Sequence, residues 1–504
     1  MNIEAFPKDL QPYLIPKPEG EMVYQCLGCS REWEIKHLYY TCPECGQVLL
    51  LKDNHFGRIK AIQPALWHRI FDYRKMLNIT AVKGIYRYHE FIGPIMPLDT
   101  IIYLGEGHTP VIEANDFMKR KAGITFFFKN DGQNPSASFK DRGMASALSH
   151  IQLLLSKGHL SDVLAICAST GDTSASAALY ASYLQPHVKS AVILPHNKVT
   201  PQQLSQPLGS GAKVFEIPGV FDDCMKIVEY LSTRYNVALL NSKNAWRILG
   251  QESYSYEIAQ EFEYDMADKV VVVPIGNAGN ITALLSGFLK FHEAGIIKTL
   301  PKIVGVQSIH ANPVYRYYLE PNPANRRFIP VVVRSSVAQA AMIGNPVSMP
   351  RVIYLVDRYY EAAGGKQSVF FVEVTEQEIM DWQLLANRNG HIACTHGGES
   401  LAGLIRAINN GFVNKNEIAI IDSTAHALKF SGFQELYFEN HFPPDFEISP
   451  NPALVNSPKL IHPKDLKAVP VPGKGLSGAD LDAFVKRISD EIAYELNLKK
   501  TEIS

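Results

Sequence analysis

The 504-residue chain is 46% hydrophobic and 20% charged, with a formal net charge of −1. That composition excludes wholesale disorder and a membrane-embedded fold, and the near-neutral charge excludes nucleic acid or acidic lipid as an electrostatically driven main partner. Such a length suits two to four domains of roughly 100–200 residues each. No apolar run is long enough to span a bilayer as a helix, and the stretch MNIEAFPKDLQPYLIPKPEG has neither a basic-then-apolar leader nor a transit-peptide composition. The expected location is the cytoplasm.

The first informative stretch is YQCLGCSREWEIKHLYYTCPECGQVL. Its C-x-x-C pairs, Cys26 with Cys29 and Cys42 with Cys45, are separated by twelve residues, and Gly28, Pro43 and Gly46 mark tight turns. Four thiolates at this spacing suit one tetrahedral zinc ion, and four protein ligands leave no open position for catalysis. A structural zinc is expected rather than disulfides, because four of the seven cysteines cluster here. The ribbon shows no Lys/Arg-rich face for nucleic acid.

Residues 55–100 are aromatic-rich, and HFGRIKAIQPALWHRIFDYRKML reads as a helix packed on the first domain. TFFFKND (125–131) reads as a buried strand leading to NPSASFKDRGMA (134–145). There Lys140 stands between a turn of small polar residues and an apolar-periodic helix from near Arg142 to about Lys157. Strands VLAICA (163–168), SAVILP (190–195), KVFEIP (213–218) and ALL (238–240) follow, with helices to about Leu184 and from Asp222. A helix from Ala245 to Glu263 precedes KVVVVPIG (269–276), a helix from Ile281, and strands IVGVQ (303–307), VFFVEV (369–374) and IAIID (418–422). This alternation predicts parallel sheets with helices on both faces. Ligands bind such sheets at the carboxyl ends of the strands, where STGDTS (169–174), GNAGN (276–280) and STAH (423–426) fall.

The span 308–368 carries Pro, Asn and Arg clusters and reads as a partly irregular cover of the site. Beyond about Phe442 the chain is dense in proline, which cannot continue helices or central strands. It ends in SGADLDAFVKRISDEIAYELN, an amphipathic helix capped by Ser477, with Leu481, Phe484, Val485, Ile488 and Ile492 at helical spacing.

GNAGN opens a helix after an apolar strand, so its N–H groups and the helix dipole favour an anion. It matches neither a P-loop nor a dinucleotide fingerprint. A helix amino terminus disfavours the ammonium form of Lys140, which suits a nucleophile that forms an imine.

Five motifs, NPSASFKDRGMA, ASTGDTSAS, NSKNAWRILGQES, GNAGNITA and STAHALKF, resemble in order and spacing those of the threonine synthases, pyridoxal-phosphate enzymes of the tryptophan-synthase-β fold. The resemblance covers roughly residues 100–435, and the cysteine segment is similar to the zinc ribbon of some members. It implies an α/β fold (pyridoxal-phosphate fold type II) with two parallel-sheet α/β domains, an N-terminal zinc-ribbon element and a C-terminal extension. The implied parts are the ribbon at 1–55, a large cofactor-binding domain from 56–143 and 242–445, a nested smaller domain at 144–241, and the extension at 446–504.

The resemblance implies that Lys140 holds pyridoxal 5′-phosphate and that Gly276, Asn277, Ala278, Gly279 and Asn280 cradle its phosphate. It puts Thr424 at the pyridine nitrogen and Asp172 beside the 3′-oxygen, where relatives often carry Asn. Ser169, Thr170 and Thr173 would receive the substrate carboxylate. Asn241, Ser242 and Arg247 would grip the substrate phosphate, a guanidinium fork being suited to phosphate oxygens. The implied reaction converts O-phospho-L-homoserine and water to L-threonine and phosphate in a homodimer, with Lys140 as proton carrier. THGGES (395–400) departs from the commoner family wording, and Ala245 and Glu252 stand where many relatives have proline and lysine. An alternative is a related lyase or β-replacement enzyme acting on O-phosphoserine. A rival of another class is a catalytically silent relative that binds partners through the ribbon and extension.

Overall fold

Runs such as KVVVVP have no polar face, so they are stable only as strands covered on both sides. The computed structural model describes residues 3–169, 171–196, 201–219, 221–462 and 465–501. In chain order the strands are β1 (Met22–Cys26), β2 (Glu32–Glu34), β3 (Leu49–Asp53), β4 (Val111–Glu113), β5 (Thr125–Asn130), β6 (Val163–Ala168), β7 (Val188–Pro195), β8 (Lys213–Ile217), β9 (Val237–Leu239), β10 (Lys269–Pro274), β11 (Lys302–Ser308), β12 (Val369–Val374) and β13 (Ile418–Ser423). The larger sheet has the order β12-β11-β10-β13-β5-β4, parallel except for the β4–β5 edge. The smaller, β8-β7-β6-β9, is parallel throughout. The antiparallel β4 falls in a turn-rich segment without strand signals.

The cysteine segment forms its own antiparallel sheet, β2-β1-β3. Tyr24, Cys26 and Leu49 belong to the same buried apolar cluster as Trp246 and Ile420, so this sheet is part of the main core. Met1–Leu454 is one compact unit and Val455–Ser504 another.

Helices that carry site residues are α1 (Lys140–Ser156), α2 (Asp172–Tyr183), α3 (Ala245–Gln251), α4 (Gly279–Glu293) and α5 (Thr395–Asn409). Three sequence expectations are corrected. The helix read across residues 55–77 is two, Gly57–Lys60 and Pro64–Arg74, because Pro64 starts a new helix at its first position. The helix read from Ala245 to Glu263 divides at Glu252 into α3 and Ser253–Glu261. Ser477 precedes the helix Gly478–Glu495 without a side-chain capping bond, and that helix buries none of its residues.

Candidate active site

Strands β10, β13 and β5 are neighbours and parallel, so their carboxyl ends release three loops side by side. β5 leads to the lysine turn, β13 to Thr424 and β10 to residues 276–280. The first two are zipped together: Phe139 N–H donates to Thr424 O at 2.8 Å and His426 N–H to Ala137 O at 3.0 Å. Ala137 sits at φ 62°, a left-handed conformation uncommon outside glycine. Asp141 holds the turn from behind, accepting from Ser136 N–H at 2.6 Å, Ser136 Oγ at 2.7 Å and Ser176 Oγ of α2. The next residue, the buried Arg142, pairs with Asp131 at 2.8 Å and with Glu257, which also accepts from Lys129 at 2.7 Å. This network fixes the start of α1 to the end of β5.

Lys140 is the first residue of α1, with Nζ 4.1 Å from the Phe139 ring centre. Burial first, then the Arg247 guanidinium, push its amine down to about 7, against the opposing pull of Asp172 and Asp422. Near neutral pH a substantial share of this amine is therefore unprotonated and nucleophilic.

The glycine loop fits a phosphate. Ala278 takes φ 61° just before α4, turning the first N–H groups of a fifteen-residue helix outward. A Cβ on Gly276 would come within 3.0 Å of Ala340 O and Ala341 Cα, so only glycine lets the loop lie against the 339–341 turn without displacement. The Asn280 side chain is directed to Asp422, donating to Oδ2 at 2.7 Å. Its backbone N–H therefore remains the group offered to an anion. Thr424 Oγ1 lies 3.6 Å from Cys394 Sγ, beside His396.

In the smaller sheet β6 and β9 are adjacent and release Ser169–Thr173 and Asn241–Ser242. Ser169 Oγ accepts from Gly171 N–H at 3.2 Å. Asn241 straps the two strand ends together, accepting from Ala168 N–H at 3.0 Å and donating to Ala168 O at 2.7 Å. That leaves one amide hydrogen for a ligand. Arg247 donates to Leu240 O at 2.9 Å, while its buried Nε has no hydrogen-bond partner among the described residues. Burial lowers this guanidinium to about 10. A buried guanidinium with an open donor has the chemistry to bind an anion.

One cavity of about 1190 Å³ is lined by Lys140, Ser169, Asp172, Thr173, Asn241, Ser242, Arg247, residues 276–280 and Thr424. Thr170 lies outside the described residues. Val331, Val333 and residues 339–347 also line the cavity, so the irregular span does border the site. The two departures from family wording separate here. His396, in the THGGES stretch, lines the cavity. Glu252 does not line the cavity and instead binds Tyr256, Ser286 and Lys290 at 2.6–2.8 Å, a packing role.

The four cysteine sulfurs lie within 4.8 Å of one another, with Cys26 and Cys45 at 3.3 Å and Cys29 and Cys42 at 3.7 Å. Sulfurs about 2.3 Å from a tetrahedral zinc would be roughly 3.8 Å apart, so the set fits one ion. Burial raises the Cys42 thiol, but hydrogen bonds from the Cys45 backbone and the neighbouring thiols outweigh it and bring it to about 7.

Sequence reading missed Lys429, Asp141 and Asp422. Lys429 stood inside the STAHALKF motif, yet only the fold brings it to Asp172, at 2.9 Å.

A buried lysine of lowered basicity, a glycine-lined helix start and a hydroxyl at the ends of neighbouring parallel strands define a pyridoxal-phosphate lyase of fold type II. Residues 102–423 match the family described as pyridoxal-phosphate dependent enzymes. The chain is 33% identical over 410 residues to a threonine synthase of Methanocaldococcus jannaschii, covering 81% of this chain and 93% of that one. It is 32% identical to a chloroplastic threonine synthase of Arabidopsis thaliana, covering 76% and 72%. The crystal structure of the Escherichia coli threonine synthase shares the fold, with a TM-score of 0.60 at 19% identity over 82% of this chain and 90% of that one. The chain belongs to the threonine synthase family of pyridoxal-phosphate dependent enzymes.

Proposed function

We propose that the protein releases phosphate from O-phospho-L-homoserine and adds water to yield L-threonine. The observation that carries this reading is Arg247: a buried guanidinium with an open Nε, facing the same cavity as Lys140. Pyridoxal phosphate, when bound, supplies the electron sink. Lys140 would hold it, residues 276–280 would receive its phosphate, Thr424 would serve the ring nitrogen, and Asp172 would serve the 3′-oxygen. Ser169 and Thr173, with nearby backbone N–H groups, bind the substrate carboxylate, a role extended to Thr170 from its motif. Arg247, Ser242 and the free amide hydrogen of Asn241 hold the substrate phosphate. The Lys140 amine carries the protons: it takes one from Cα and then one from Cβ as phosphate leaves Cγ into the Arg247 site. Cγ receives a proton to become the methyl group, water gives its hydroxyl to Cβ and its remaining proton to phosphate, and a proton returns to Cα. Val331, Val333 and residues 339–347 form part of the wall around that point.

Four thiolates, Cys26, Cys29, Cys42 and Cys45, hold a structural zinc in this reading. The protein acts as a cytoplasmic homodimer, with residues 144–241 as a smaller domain nested in a larger one. The experiment is incubation of purified protein and cofactor with O-phospho-L-homoserine or O-phosphoserine, following phosphate and threonine. Equal phosphate and threonine from the first substrate supports the reading; phosphate from O-phosphoserine alone sinks it.

A further inference from the structure

The segment 237–247 carries Asn241, Ser242 and Arg247, and the cysteine-bearing element grips it at three points. At its start, Tyr40 OH donates to Val237 O at 3.2 Å and accepts from Leu239 N–H at 3.0 Å, across 197 residues of sequence. In its middle, the Arg351 guanidinium donates to Ser242 O at 3.1 Å and Lys243 O at 3.0 Å. The other edge of the same guanidinium donates twice to Leu49 O, at 3.0 and 2.6 Å. Near its end, Trp246 Nε1 donates to Tyr24 OH at 3.2 Å. The Trp246 ring stacks at 4.1 Å on His150, which contacts Ile35 O at 2.9 Å. Tyr24, Ile35, Tyr40 and Leu49 interleave with the four cysteines along the chain.

Arg351 is fully buried and has no carboxylate partner among the described residues. Holding a cation out of water against carbonyls and the Ser348 hydroxyl, at 3.0 Å, is costly. Such a strut gains stability poorly but fixes geometry well, since a planar fork reaches two segments at once. Gly46, Gln47 and Val48 also line the cavity, so the same element forms part of its wall. A phosphate that met a loosely held 237–247 segment would have to order it, and that entropy would be subtracted from its affinity.

We infer that the cysteine-bearing element, acting through Tyr40 and Arg351, is the positioning device that fixes residues 237–247 and thereby sets affinity for the substrate's phosphate. This rests on the assignment of Arg247 to that phosphate. The test uses holoenzyme, whose cofactor loop is already filled, and inorganic phosphate as the probe. Tyr40→Phe and Arg351→Met should each weaken phosphate binding and raise KM by roughly five- to tenfold, with kcat within about twofold and the cofactor absorbance unchanged. Arg351→Lys should recover part of the loss.

Phosphate binding in Tyr40→Phe equal to that of the parent overturns the inference. So does a loss of cofactor in step with the loss of phosphate affinity, which would make the contacts general supports. Phosphate binding by the parent that survives Arg247→Gln removes the underlying assignment instead, a result that separates the two failures.

Discussion

Lys429 Nζ lies 2.9 Å from Asp172 Oδ1, with the two side chains only 15% and 4% exposed. The contact is electrostatic, because that carboxylate oxygen has no aligned hydrogen-bond donor. Lys429 is held from its other side by Ser136 O at 2.9 Å, so the pair ties the lysine turn to the start of α2. An acid thus stands beside the proposed cofactor site with its own counter-charge.

Lys429→Met would strand that carboxylate, and breaking a buried pair costs about 3–5 kcal/mol. The double change Lys429→Met with Asp172→Asn removes both charges and should recover most of this loss. Thermal unfolding of the single and double variants checks it. A single variant as stable as the parent would show that the pair carries no structural weight.

The lowered Lys140 amine sets a pH dependence for cofactor capture. Only the neutral amine attacks an aldehyde, so capture by cofactor-stripped protein should rise with pH and level off above about 7. Stopped-flow absorbance across a pH series reads the midpoint. A midpoint near the ordinary lysine value of 10.5 would contradict the burial argument.

The loops of the candidate site were legible because each is a short contiguous motif at the end of an apolar run, and a buried parallel strand needs no partner in sequence to declare itself. What escaped were pairings made across the fold. Arg351 and Leu49 are 302 residues apart and leave no periodic trace. Glu252 departs from the family wording inside a motif that carries proposed ligand residues, but the division between α3 and the next helix turns it toward Lys290. The apolar spacing around Leu481 and Val485 marks a helix, present at Gly478–Glu495, yet those residues remain 40% and 52% exposed. Periodicity reports that a helix can pack, not that a partner is present.

Arg247→Gln should separate binding from cofactor chemistry. Loss of a charged hydrogen-bond donor to phosphate costs about 1.5–3 kcal/mol, roughly 10- to 150-fold in kcat/KM for O-phospho-L-homoserine. Because Arg247 also lowers the Lys140 amine, the same variant should move the capture midpoint upward. Arg247→Lys keeps the charge without the planar fork and should restore the midpoint better than the affinity. An unchanged kcat/KM in Arg247→Gln would remove this residue from the phosphate site.

Asp422, at the end of β13, tests how protonation supports the cofactor loop. Burial, and then the charge of Asp131, raise its carboxyl to about 8, while Asn280 donates to it at 2.7 Å. The unfolded chain releases this proton near 3.8 and the folded chain keeps it to about 8. Between those values the folded state binds more protons, so this group's contribution to stability falls as pH rises. Asparagine preserves the shape and an acceptor for Asn280 but has no proton to lose. Asp422→Asn should therefore gain stability relative to the parent as pH is raised through that interval, in urea unfolding at a series of pH values. A stability difference that stayed constant across the series would show that Asp422 is already ionised in the folded protein, and that Asn280 donates to a carboxylate rather than to a carboxylic acid.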